Sequence, residues 1–137
     1  MQTDWAALFF TAGGRLGRTP FLIGAALLIA LAAVYEAVAG VTLHWLTGWF
    51  VYPSLIYGGA CVLSKRLHDR GKSGWWAAAV LFALVAVWQP PMNPADVLLS
   101  LLLVWAVVEL GVLGGEQGTN RYGANPLRAA TTSPTTV

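Results

Sequence analysis

Charge is scarce in this chain. Of 137 residues, eight are Lys or Arg and six are Asp or Glu, so a tenth are charged, against roughly 25% in soluble domains. A soluble domain of this length would lack the polar side chains to cover its surface. Cysteine is nearly absent too. Cys61 stands alone, which excludes an intrachain disulfide and leaves a small buried apolar side chain as its expected role. The two histidines, His44 and His68, have no third ligand at a recognisable metal spacing. There is no Gly-x-Ser-x-Gly elbow and no phosphate-binding P-loop. Neither an enzyme, a cofactor nor a nucleic-acid partner is expected.

What the chain has in abundance is apolar sequence, with hydrophobic residues making up 57%. All eight basic residues fall in three short segments between the apolar stretches: Arg15 and Arg18, then Lys65, Arg66, Arg70 and Lys72, then Arg121 and Arg128. The junctions around Gly40 and from Pro90 to Asp96 carry no positive charge. The positive-inside bias produces this alternation when four helices cross a bilayer with both termini in the cytoplasm. The sequence therefore predicts an all-α protein, a four-helix transmembrane bundle.

The spans are expected over 21–39, 43–63, 75–89 and 97–113. Thr19 reads as an N-cap with Pro20 at the first helical position. Pro53 lies within the second span and would free a backbone carbonyl there. The third span is short at fifteen residues, so a shallow re-entrant hairpin is the alternative for the last two. A rival for the first span is a signal peptide cut after Ala37-Val38-Ala39, but its apolar region is long and Glu36 sits beside the site. Trp45, Trp49 and Trp88 are expected near one interface, and Trp75 and Trp76 near the other. Trp105 is expected inside the bundle. Ahead of the spans, Thr3 to Phe10 reads as a short capped helix lying in the interface. Residues 129–137 read as a disordered tail, leaving 1–128 as one membrane domain. Ala26, Ala30, Ala33 and Ala37 form a small-residue stripe suited to helix packing.

Three motifs occupy the basic segments. They are Gly14-Arg15-Leu16-Gly17-Arg18-Thr19-Pro20-Phe21, then Lys65-Arg66-Leu67-His68-Asp69-Arg70-Gly71-Lys72-Ser73-Gly74-Trp75-Trp76, then Gly118-Thr119-Asn120-Arg121-Tyr122-Gly123-Ala124-Asn125-Pro126. In order and over nearly the whole chain, they resemble the bacterial inner-membrane family called domain of unknown function 805. Lys65 stands where that family has the first Arg of a pair, and Leu22 where an aromatic often follows the Phe. The resemblance implies a membrane fold and an envelope location. It implies no activity.

The bland reading of the basic residues is that they anchor topology. Ser73 would cap the third span, and Asp69 would neutralise Lys65 one helical turn away. The sharper reading joins the motifs into one cytoplasmic cap of Arg15, Arg18, Arg66, His68, Asp69, Arg70, Ser73, Asn120, Arg121 and Tyr122. Guanidinium forks in that cap would bind anionic lipid headgroups or an acidic partner segment. His68 and Asp69 are adjacent, so they point to different helix faces and need a turn to act together.

Charges within the spans need partners, because an exposed one costs roughly 2.5–3.5 kcal/mol at mid-bilayer. Glu36 and His44 are placed symmetrically about Gly40 and should meet across a hairpin. Glu109 should lie within reach of Arg66 or Arg18. Two functions follow from these residues. The first is a small accessory or interaction protein of the membrane, as a homo-oligomer or with a membrane protein partner. The alternative is a minimal oligomeric transporter or channel using Glu36 and Glu109.

Overall fold

A computed structural model describes residues 4–87 and 93–131, and the described residues are helix, turn and loop apart from one isolated bridge between Asn120 and Gly123. Among the described residues six α-helices follow one another: α1 (Trp5–Phe10), α2 (Arg18–Val38), α3 (Val41–Asp69), α4 (Trp75–Ala86), α5 (Pro94–Ala106) and α6 (Pro126–Thr131). One π-helical stretch, Val107–Val112, prolongs α5.

Among the described residues three helices are long and apolar enough to cross a membrane: α2, α3, and α5 with its extension. At about 1.5 Å per residue, the 21 residues of α2 span about 31 Å. The extended α5, Pro94–Val112, spans about 28 Å. Both match the roughly 30 Å hydrocarbon layer. The 29 residues of α3 reach about 43 Å, and the surplus carries Lys65 to Asp69 out beyond the apolar part. The expected third span is shorter than the sequence suggests. Its helix α4 has 12 residues, about 18 Å, and Trp88 and Gln89 lie outside the described residues.

The large apolar side chains of these helices point outward. Trp45, Trp49, Phe50, Phe82, Leu98 and Val107 are all more than 65% exposed. Such apolar exposure is ruinous in water and ordinary in lipid. Buried apolar residues gather towards one end instead, where Leu8, Leu16, Phe21, Val62, Leu67 and Leu110 form a single cluster with Trp105 packed against it. Trp105 also meets Trp76, ring centroids 5.6 Å apart.

Several helix ends differ from the expected ones, each for a local reason. α2 starts at Arg18 with Gly17 as its cap. Thr19 and Pro20 then lie in the first turn, where N–H groups have no intrahelical partner and proline does no harm. α5 starts at Pro94 because Asn93 and Asp96 form a reciprocal capping box. Asp4 caps α1 by accepting from the Ala7 N–H at 3.1 Å. Its Leu8 is buried, so α1 packs into the bundle as well as flanking it. Residues 129–131 finish α6 rather than opening a tail, and 132–137 lie outside the described residues. The stripe of Ala26, Ala30, Ala33 and Ala37 faces outward. The close approach of α2 to α3 uses Gly24 and Gly58 instead. A Cβ on Gly24 would lie 3.2 Å from Leu8 and 3.6 Å from Val62, and one on Gly58 would lie 3.4 Å from Leu28.

Candidate functional site

The end of α3 is the hub on which the three motifs meet. Its last carbonyls have no partner within the helix. Gly71, at φ +68°, turns the chain so that the Lys72 N–H reaches Leu67 O at 2.8 Å and the Gly71 N–H reaches His68 O at 3.0 Å. This is the Schellman pattern, which needs a left-handed residue that glycine supplies without strain. The first motif donates the Leu16 N–H to Lys65 O at 3.2 Å, and the segment before the third donates the Glu116 N–H to Asp69 O at 2.8 Å. Asn120 Nδ2 then reaches His68 O at 2.9 Å.

Arg66 and Asp69 form the centre. The Arg66 side chain is fully buried and that of Asp69 is 3% exposed. Arg66 Nη1 donates to Asp69 Oδ2 at 2.5 Å, and Arg15 Nε donates to Asp69 Oδ1 at 3.0 Å. One carboxylate thus sits between two guanidinium groups, each from a different motif. Lys65, the expected partner of Asp69, turns away. Its ammonium donates to Ala7 O and to Leu8 O, the latter at 3.1 Å, and so caps the end of α1. A planar fork matches a buried carboxylate better than an ammonium does. The arginines take the acid, and the lysine takes backbone carbonyls.

Most of the other donors of Arg15, Arg18 and Arg66 go to main-chain oxygens, as does one donor of Arg70. Arg66 donates to Leu110 O at 2.8 Å, Leu113 O at 2.6 Å and Leu16 O at 3.4 Å. Arg18 donates to Val112 O at 3.1 Å, and Arg70 donates to Gly114 O. The C-terminal end of α5, which carries partial negative charge, is therefore capped by three cations from the first and second motifs. Arg15 reaches Glu116 O and Gly118 O, each at 2.6 Å, and Gly123 O at 3.2 Å. Glu109 is held by Arg70, with Nη2 at 3.0 Å and Nε at 3.1 Å, and by Lys72 at 3.7 Å. Arg66 and Arg18, its expected partners, are engaged with the carbonyls nearby.

Glycines make room for these groups. A Cβ on Gly115 would lie 2.0 Å from Asp69 Oδ2, and one on Gly71 would lie 2.2 Å from a Glu116 oxygen. Ser73 is not the cap of α4. That place is taken by Gly74, and the Ser73 hydroxyl accepts a long bond, 3.4 Å, from the Trp75 N–H.

His68 and Asp69 diverge, as adjacent helical residues must. The His68 ring stacks on Tyr122 with centroids 3.8 Å apart and planes 8° apart. Its Nδ1 lies 3.0 Å from Gly14 O, an oxygen that can only accept, so Nδ1 carries the proton in this contact. The Arg121 guanidinium lies over the Tyr122 ring, 4.7 Å from its centroid. Arg121 is exposed. Among the described residues no carboxylate comes within ion-pair distance of it.

At the opposite end of the bundle, α2 and α3 join through Ala39 and Gly40. Glu36 and His44 do meet there, with Oε1 3.7 Å from Nε2. Sequence reasoning missed the residue that links them. The Tyr52 hydroxyl donates to Glu36 Oε1 at 2.5 Å and also contacts His44 Nε2. Tyr35 adds a 3.0 Å hydroxyl contact to Thr47 and an edge-on ring contact to Tyr52. Two helical turns separate His44 from Tyr52, and that spacing on one face was the available signal.

The comparisons agree with the motifs. A family model described as "Protein of unknown function (DUF805)" matches residues 9–124. The chain is 36% identical over 125 residues to "Uncharacterized protein YiiR" of Escherichia coli (strain K12), covering 83% of this chain and 84% of that protein. The corresponding protein of Escherichia coli O157:H7 matches equally. No solved structure matches. The matched stretch contains the first two motifs and the third as far as Ala124, and the chain belongs to the DUF805 family.

Proposed function

We propose that this is a non-enzymatic accessory protein of the bacterial inner membrane, with both termini in the cytoplasm and a cap that binds anionic lipid headgroups. In this reading α4 belongs to the third of four crossings, and the cap lies at the cytoplasmic surface. The confinement of Lys and Arg to the cap end supports that orientation. So does the attraction of a cytoplasmic leaflet, about 1 kcal/mol per nearby basic residue.

The observation that carries the reading is how the cap divides its cations. Arg15, Arg66 and Lys65 are turned inward and spend their donors on the chain's own oxygens. They hold the cap together and have little left for a ligand. Arg18 and Arg121 are exposed, and the contact Arg121 makes among the described residues is with the face of Tyr122. Recognition therefore falls to the periphery of the cap, and the transporter reading has no comparable observation behind it. Glu36 and Glu109 sit at opposite ends of the bundle, each already occupied.

Orientation is tested by single-cysteine labelling in a Cys61→Ala background. An impermeant thiol reagent added outside should reach Thr42→Cys and Asn93→Cys but not Gly14→Cys or Lys72→Cys. Labelling of Lys72→Cys from outside reverses the topology. Headgroup binding is tested by weighing the lipids that co-purify. Arg18→Gln with Arg121→Gln should lower the anionic share, and an unchanged share contradicts the proposal.

A further inference from the structure

We infer that the groove between α3 and α4 holds one acyl chain of an anionic phospholipid, with the headgroup phosphate at the groove's Ser73–Tyr122 end. This rests on the lipid-binding reading above and gives it a place. The groove measures about 830 Å³, within the range of roughly 300–1,000 Å³ usual for small-molecule sites. It is open along one side rather than enclosed. Ile56 and Ala60 of α3 and Ala78, Leu81, Phe82 and Val85 of α4 form its apolar length. From Ser73 to Val85 it runs about 18 Å along α4, close to one leaflet, half of the roughly 30 Å hydrocarbon core. The alanines keep the two helices from filling the space between them.

The two ends of the groove differ in kind. Away from the cap the lining is apolar apart from Tyr57, whose hydroxyl already donates to Phe10 O at 3.1 Å. At the cap it ends in Ser64, His68, Ser73 and Tyr122, and Arg121 lies over the ring of that tyrosine. Among the described residues no acidic side chain lines the groove, so a phosphate placed there meets the hydroxyls of Ser64, Ser73 and Tyr122, with the Arg121 guanidinium beside the lining, over the Tyr122 ring. Trp75, 84% exposed, stands at the rim, where an indole suits headgroup depth. An apolar channel one leaflet long with an anion-accepting end fits a phospholipid of the leaflet on the cap side. The polarity of that end selects this occupant over an apolar helix of a second copy.

The test uses the full chain in nanodiscs of phosphatidylethanolamine that contain a minor share of phosphatidylglycerol with a diazirine at the acyl terminus. After irradiation, crosslinks should map to Ile56, Leu81 and Val85. They should fall about tenfold in Arg121→Gln, the loss of one charge-assisted contact. They should disappear in Ala78→Phe and in Ala60→Leu, which fill the groove from opposite walls. Equal labelling by a diazirine phosphatidylethanolamine would reduce the groove to bilayer solvation and overturn the inference. So would labelling that survives both groove-filling variants, or chain-to-chain crosslinks through the groove. If the anionic share of co-purified lipid depends on Arg121 while the groove stays unlabelled, the groove fails and the headgroup reading stands. If the groove is labelled without regard to headgroup and the anionic share of co-purified lipid is also independent of Arg121, both fail.

Discussion

Replacing Arg66 by Lys keeps the positive charge and removes the fork. A residue whose only task is to set topology would tolerate that change. The geometry says otherwise. Arg66 satisfies Leu110 O and Leu113 O from one side of the guanidinium and Asp69 from another. A lysine ammonium at this position can replace one of these contacts. Asp69 keeps Arg15, so the cost falls mainly on the two carbonyls at the end of α5. Each orphaned buried polar group costs about 1–3 kcal/mol. With about 1 kcal/mol returned by the new ammonium contact, the net loss is about 1–5 kcal/mol. That corresponds to a melting point lower by roughly 3–20 °C. The protein carries its own reporter, because Cys61 is its single thiol and is buried. Reaction of that thiol with a fluorogenic maleimide during a temperature ramp in detergent gives the midpoint. A midpoint unchanged in Arg66→Lys would refute the claim that the cap's arginines are there for backbone carbonyls.

Asp69→Asn leaves Arg15 and Arg66 buried without their shared anion, so it should destabilise by about 3–5 kcal/mol, more than Arg66→Lys does in the same assay. Gly115→Ala brings a Cβ to 2.0 Å from Asp69 Oδ2 and should lower the midpoint as well, although it alters neither charge nor hydrogen-bonding groups. A wild-type midpoint for Gly115→Ala would mean that Asp69 moves freely. At the other end, Glu36→Cys with His44→Cys should crosslink within one chain under mild oxidation in a Cys61→Ala background. Efficient crosslinking of Ala37→Cys with Leu43→Cys instead would show that the hairpin faces are wrong.

The sequence makes the meeting of the three motifs legible, because basic segments separated by membrane-length apolar runs must return to one surface. It also makes legible the contact of Glu36 with His44, which the two-residue junction at Ala39 and Gly40 dictates. Pairings within the cap are not legible. Lys65 lies four residues before Asp69 and invites a local ion pair, yet Arg15, 54 residues away, takes that carboxylate. Local spacing lists the possible neighbours, while burial decides which of them satisfies the group at least cost. The same competition hides the roles of Arg18, Arg66 and Arg70, since nothing in a sequence marks which carbonyls a helix end will leave open. The π-helical stretch after α5 leaves no periodic signature, and it sets which of those carbonyls point at the cap. Ala129 and Ala130 read as tail by composition, but Asn125 starts a helix by accepting from the Leu127 N–H at 2.9 Å.

The division of labour between buried and peripheral cations is the centre of this account, and one paired measurement reaches it. Arg66→Lys and Arg121→Gln are purified from the same membranes, and each is scored for melting midpoint and for anionic share of bound lipid. A crossed pattern is predicted: Arg66→Lys melts lower but keeps its anionic lipid in the folded fraction, whereas Arg121→Gln melts like the wild type and loses it. An Arg121→Gln protein that retains its anionic lipid, beside an Arg66→Lys protein that melts normally without it, would contradict the account.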